Sequence, residues 1–122
     1  MDINLGGNTL TNGYFAGIVT GSSGGGGSKW VIKVSNYSAM AGDAIMADTT
    51  FSVFTITLPA SPALSDQITV ADPQGSWGTN NLTIARNGNN IEGNAGNLIC
   101  DVSGASISLV YVGGTEGWAI YV

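Results

Sequence analysis

The chain has 122 residues, 43% of them hydrophobic and only 9% charged, with 19 glycines, one cysteine and no histidine. That length describes one domain with a core of modest depth, and that hydrophobic share excludes simple disorder. A net charge of −5 with three basic residues, Lys29, Lys33 and Arg86, excludes a phosphate-neutralising nucleic-acid face and a polybasic membrane patch.

The missing histidine also removes chemistry. Ser-His-Asp and Cys-His nucleophiles need an imidazole base, and a zinc site needs a Cys/His cluster. Cys100 is alone, so it forms no internal disulfide. In NLICDV it alternates in phase with Leu98 and Val102, the place of a small core residue. The N-terminus lacks the basic-then-apolar order of a secretory signal, and no apolar run approaches the ~20 residues of a membrane span. Synthesis in a cytoplasm is the expectation. Asn36-Tyr37-Ser38 and Asn81-Leu82-Thr83 match the glycosylation sequon but carry no meaning without secretion.

Taken in order, residues 1–20 (MDINLGGNTLTNGYFAGIVT) form a Gly-broken polar arm with small apolar groups at Ile3, Leu5, Leu10, Tyr14, Phe15, Ile18 and Val19. It is too interrupted to bury itself, so it is expected to pack on its own domain or on a neighbouring subunit. Residues 21–28, GSSGGGGS, have the composition of a flexible hinge; a native hinge and an engineered linker look alike here. The body, 29–122, opens with KWVIKVSNY, where Trp30, Ile32 and Val34 alternate with Val31, Lys33 and Ser35. A turn at Gly42-Asp43 and a short strand over 44–47 follow, because Gly42 would cost a helix there about 1 kcal/mol.

Residues 51–72, FSVFTITLPASPALSDQITVAD, are the clearest stretch. Phe54, Ile56 and Leu58 alternate with threonines, Pro59 to Asp66 break the pattern, and Ile68 and Val70 resume it. Period-two alternation marks strands with one buried face, and the unit reads as strand, proline turn, strand in hairpin style. Beyond the loop ADPQGSWGTNN lie a strand over 82–86, an Asn87-Gly88 hairpin signal, and a short strand at 90–92. Further strands are expected over 97–102, over 105–112 with Ile107, Leu109 and Tyr111 on one face, and over 117–122. Short strands at regular spacing predict an all-β fold: a small antiparallel β-sandwich or barrel with an extended N-terminal arm.

Paired carboxylates could serve a glycosidase, and Asp43, Asp48, Asp66, Asp72, Glu92, Asp101 and Glu116 are the candidates. Most sit at turns or strand ends, where Asp caps loops; the structural reading is preferred and no catalytic residue is assigned. Calcium could use Asp, Asn and loop carbonyls, but no calcium-loop pattern occurs, so no metal or cofactor is expected. Trp30 and Trp118 fall in phase with core positions. Trp77 lies in a Gly-rich loop without register, which makes it the aromatic to test as a contact residue, with packing over a core edge as the other reading.

From about Tyr37 onward the chain resembles a small β-rich module of tailed-bacteriophage virion proteins. The pieces that carry the resemblance are AGDAIMADTT, FTITLPASP, SDQITVAD, NNLTIARNGNNIEG and LICDVSGASISLVYVGG, ending in Gly117-Trp118. The opening DINLGGNTLTNG is similar, over a shorter run, to phage fibre segments. The resemblance implies a non-enzymatic, homotrimeric protein of the virion, located on the capsid surface or tail. A short chain with an arm and a hinge suits a capsid decoration or cement protein, its arm (Ile3, Leu5, Leu10, Tyr14, Phe15) gripping the major capsid protein or another virion protein. Apolar residues on both faces of the later strands, Val110 and Val112 opposite Leu109 and Tyr111, suit a subunit interface. A tail-fibre or receptor-binding module that touches host glycans is the alternative, and a carbohydrate-binding module the second.

Overall fold

The structure, a computed structural model, describes residues 29–122. Among them are nine strands and no helix: β1 (Trp30–Lys33), β2 (Tyr37–Ser38), β3 (Ala44–Ala47), β4 (Phe54–Thr57), β5 (Gln67–Ala71), β6 (Leu82–Ala85), β7 (Leu98–Cys100), β8 (Ser106–Gly113) and β9 (Gly117–Tyr121). The protein is all-β. The expected arm and hinge lie outside the described residues.

Two sheets result, one in the order β1-β3-β5-β8-β9 and one in the order β2-β4-β6-β7. Up to β6, each strand lies in the sheet opposite its predecessor. Strands that return to the same sheet therefore pair in parallel, β1 with β3, β3 with β5, β2 with β4 and β4 with β6. This is a solenoid-like winding of three passes. The chain then doubles back, and β7, β8 and β9 pair antiparallel with β6, β5 and β8.

The antiparallel expectation is thus corrected for the first two-thirds of the domain: both sheets are mixed. Alternation is the same in a parallel or an antiparallel strand, whereas only tight turns oblige antiparallel pairing. The 51–72 unit is corrected for the same reason. β4 and β5 belong to different sheets, and Pro59 to Asp66 carry the chain across between them. Asn87-Gly88 does turn, with φ of 51° and 94°, but β6 pairs with β7 and not with 90–92. Instead of a strand, that stretch gives bridges from Ile91 to Asn94 and Trp118.

The inward rows of both sheets meet in one buried cluster. Ile45, Ile68, Val70, Leu109 and Trp118 come from the five-stranded sheet, Phe54, Ile56, Leu82 and Ile84 from the four-stranded one. Each such side chain contributes about 1.5–3 kcal/mol by leaving water. Asparagine amides close the loops over this core: Asn80 donates to Thr49 O at 2.8 Å, Asn87 to Leu58 O at 2.9 Å, and Asn90 to Thr115 O at 2.9 Å. Buried or half-buried loop carbonyls need such partners, which accounts for much of the chain's asparagine.

Candidate interaction surfaces

Strand alternation sorts side chains onto two faces of each sheet. On the five-stranded sheet the register places Trp30 beside Ala44 and Thr69, Ile32 beside Met46 and Ala71, and Ser108 between Thr69 and Tyr121 on the outward face. Val110 and Ala119 extend that face. None of these residues is charged. The outward row of the four-stranded sheet is Ser38, Thr55, Thr57, Thr83, Ala85 and Ile99, polar but equally uncharged. Lys33 is the one charged residue within a described strand; it has an inward register, with its ammonium 4.1 Å from the centre of the Tyr37 ring. A cation over an aromatic face is attracted by the ring quadrupole.

Exposure at the first pass departs from expectation. Trp30 is 44% and Ile32 66% exposed, and even the inward-register Val31 is 39% exposed. Trp118 is buried, as its phase predicts, with its ring edge-on to Tyr111 at 5.4 Å. Trp30 is corrected from core to surface: its register with Ala44 and Thr69 puts it on the outward face, and the inward row of β1 is Val31 and Lys33, beside Ile45 and Ala47. At the other end of the stack, Leu98, Ile99, Val102, Ile107 and Ile120 line an apolar groove of about 170 Å³ between β7 and β9.

Trp77 is the reverse case. It is fully buried, and its indole N–H donates to Ala47 O at 3.0 Å, so no ring face is free to stack on a sugar. The contact role is corrected, and the core-packing reading stands. Asp72 explains how a Gly-rich loop delivers a tryptophan inward. Its Oδ1 accepts from the N–H groups of Gln74 (3.3 Å) and Ser76 (3.1 Å), and its Oδ2 from those of Trp77 (3.0 Å) and Gly104 (2.9 Å). Burial pushes this carboxyl up, but the four donors outweigh it and hold it below the usual carboxylate range. Sequence periodicity could not reveal this; an Asp ending a strand just before a loop rich in free N–H groups was the available signal.

Other acids are similarly engaged. Asp43 accepts from the Tyr37 hydroxyl and the Met40 N–H, both at 2.8 Å. Asp48 accepts from the Thr50 N–H at 2.9 Å, Asp66 from the Ala63 N–H at 2.8 Å, and Glu92 from the Ile120 N–H at 2.6 Å. The bond to Asp43, aided by burial and by the adjacent negative charge, raises the Tyr37 hydroxyl above its ordinary value. Burial, with Asp101 nearby, pushes the Cys100 thiol up to about 12, the behaviour of an unreactive core cysteine. Among the described residues no three His, Cys, Asp or Glu side chains gather as a metal site, and no helix is long and apolar enough to cross a membrane. Ile3, Leu5, Leu10, Tyr14 and Phe15 lie outside the described residues.

No protein-family model matches the chain, and no curated protein matches it significantly.

Proposed function

We propose that this protein is a non-enzymatic structural component of a tailed-phage virion, a trimeric decoration or cement protein seated on the capsid surface. The observation that carries this reading is the uncharged outward face of the five-stranded sheet. In a chain of net charge −5, a contact surface free of charge brings no like charges together between copies. That face supports self-association, and the sequence resemblance from Tyr37 onward supports the virion setting. The engagement of four acids in holding turns and loops, with Glu92 on the β9 backbone, supports a scaffold role.

Size sets a limit on the face. Five strands about 4.8 Å apart and four to eight residues long project roughly 300–400 Å², against about 800 Å² per partner in a stable interface. The trimer contact in this reading extends past the sheet into the arm or the apolar groove, and the sheets form a two-layer sandwich beneath it. Fractionating virions into heads and tails and probing each for this chain tests the assignment. Recovery with heads is expected; recovery with tails alone overturns it. Light scattering is expected to give three times the monomer mass, and monomer mass throughout the micromolar range removes the trimer.

A further inference from the structure

The outward row Trp30, Ala44, Thr69 crosses three adjacent strands of the five-stranded sheet. A large ring stands on one side, a methyl group in the middle and a hydroxyl-bearing side chain on the other. Neighbouring strands lie about 4.8 Å apart, so the two outer side chains rise from backbones about 10 Å apart, with only Ala44 between them. An open pocket of about 300 Å³ results, lined by Trp30, Gly42, Asp43, Ala44, Gln67 and Thr69. Gly42 keeps its part of the wall low: it turns the chain at φ +90°, and nothing lies within 4 Å of its Cβ position.

The polar side of this pocket is fixed by the fold. The Gly42 N–H donates to Gln67 O at 2.8 Å and the Thr69 N–H to Asp43 O at 3.0 Å, which fastens the turn at 42–43 to β5. Asp43 Oδ2 takes the Tyr37 hydroxyl and the Met40 N–H, which leaves Oδ1 to accept from a ligand. Thr69 is steadied by Ser108, Oγ1 to Oγ at 3.0 Å. A ligand therefore meets an exposed indole on one side and held polar groups on the other, so little ordering is left to do on binding.

We propose that this pocket binds a neutral pyranose ring of a glycan, stacked on Trp30 and hydrogen-bonded to Gln67 and Asp43. A pyranose has an apolar C–H face and a rim of hydroxyls. The indole supplies the broad apolar surface that such a face covers. The Gln67 amide both donates and accepts, and a carboxylate oxygen accepts from hydroxyls. Small-ligand sites combine apolar surface with a few placed polar groups in this way, at volumes from about 300 Å³ upward. The Asp43 carboxylate and a net charge of −5 disfavour an acidic sugar. A quaternary ammonium is recognised by a cage of aromatic rings, whereas among the described residues Trp30 alone supplies a ring here.

Sugar binding and self-association use different ends of the sheet. The β8–β9 end, with Val110 and Ala119, adjoins the apolar groove between β7 and β9, and the pocket spans β1, β3 and β5. The site is thus independent of the trimer and of where on a virion the protein sits.

The test uses the full-length chain, with the methyl glycosides of glucose, galactose, mannose and N-acetylglucosamine as probes. Saturation-transfer NMR reads binding from the sugar's own protons, so it also serves variants that lack the ring. Saturable binding of at least one probe is expected, at about 1–10 mM for a ligand of this size, with transfer strongest at the protons of its apolar face. Glucuronic acid is expected to bind at least ~10-fold more weakly. Trp30→Ala is expected to weaken the bound probe at least ~10-fold and Gln67→Ala about 3-fold or more. Both residues are exposed, and unchanged thermal melts check that each variant folds. No transfer to any probe at tens of millimolar overturns the proposal, as does binding that Trp30→Ala and Gln67→Ala leave unchanged. Loss of self-association in Trp30→Ala, with no sugar bound by the unaltered chain, gives the pocket to a second copy and also overturns it. Monomer mass in light scattering removes the trimer and leaves the sugar result standing, so the two readings fail separately.

Discussion

The indole N–H of Trp77 donates to the carbonyl of Ala47 at 3.0 Å, tying the loop after β5 to the last residue of β3. This bond joins two segments thirty positions apart, and both ends are fully buried. Trp77→Phe keeps most of the ring volume but strands the Ala47 carbonyl, at about 1–3 kcal/mol. Trp77→Ala opens a core cavity as well and costs about 3–5 kcal/mol. Urea unfolding measures both, and a Trp77→Ala loss below ~1 kcal/mol would contradict the buried placement.

Asp72 gives the pH dependence a definite sign. Its carboxyl is held below its unfolded value of about 3.9, so its contribution is fully present above that pH. The contribution is lost as pH falls through the lower folded value. Stability is therefore expected to decline below about pH 4. In Asp72→Asn that part of the decline is absent, because no proton is taken up at this site. The amide also cannot replace the carboxylate: each oxygen receives two N–H groups, so either orientation of Asn points an NH₂ at two donors. A loss of about 2–4 kcal/mol at pH 7 is expected, read from thermal melts across pH 2–7.

Gly117, the first residue of β9, has φ of +73°, and a Cβ there would collide with the backbone carbonyl of Asn90. The Trp118 N–H donates to that same carbonyl at 2.8 Å, so Asn90 cannot retreat without breaking the bond. Gly117→Ala is expected to cost more than about 2 kcal/mol. Gly96, with nothing near its Cβ position and no positive φ, is the control: Gly96→Ala is expected to be neutral within about 1 kcal/mol, by the same denaturation assay.

Val110 lies on the outward face, opposite Gln67 and Ala119. Val110→Glu adds a charge to a surface that has none, and is expected to weaken self-association at least tenfold while shifting Tm by only a few degrees. Sedimentation velocity reads the first effect and calorimetry the second. Unchanged association would remove this face from the interface.

Much of the fold was legible because alternation is a local property. Phe54, Ile56, Ile68 and Val70 announce their inward direction by spacing alone, and each is buried. Pairing was not legible. The step between neighbours in the five-stranded sheet changes from Trp30–Ala44 to Ala44–Thr69, so no fixed repeat marks the winding in the sequence. Trp30 and Trp77 exchanged expected environments for related reasons. Trp30 alternates cleanly, but alternation does not say which of two apolar rows faces inward, and Val31 and Lys33 take that side; Trp77 has no phase and is turned inward by Asp72. The choice of inward row and a carboxylate's hold on a loop are tertiary facts, which periodicity does not encode.

Confining charge to the loops shapes how the sheet faces respond to their surroundings. With Lys33 turned inward and no histidine in the chain, no side chain on the outward faces titrates between about pH 5 and pH 8. Association through them buries apolar and neutral surface, which carries a negative heat-capacity change and weakens on cooling. Screening by simple salt changes little there, while sulfate or phosphate strengthens the contact by exclusion from the surface. Copies held together by this face respond to temperature and to excluded solutes, and hardly at all to acidity.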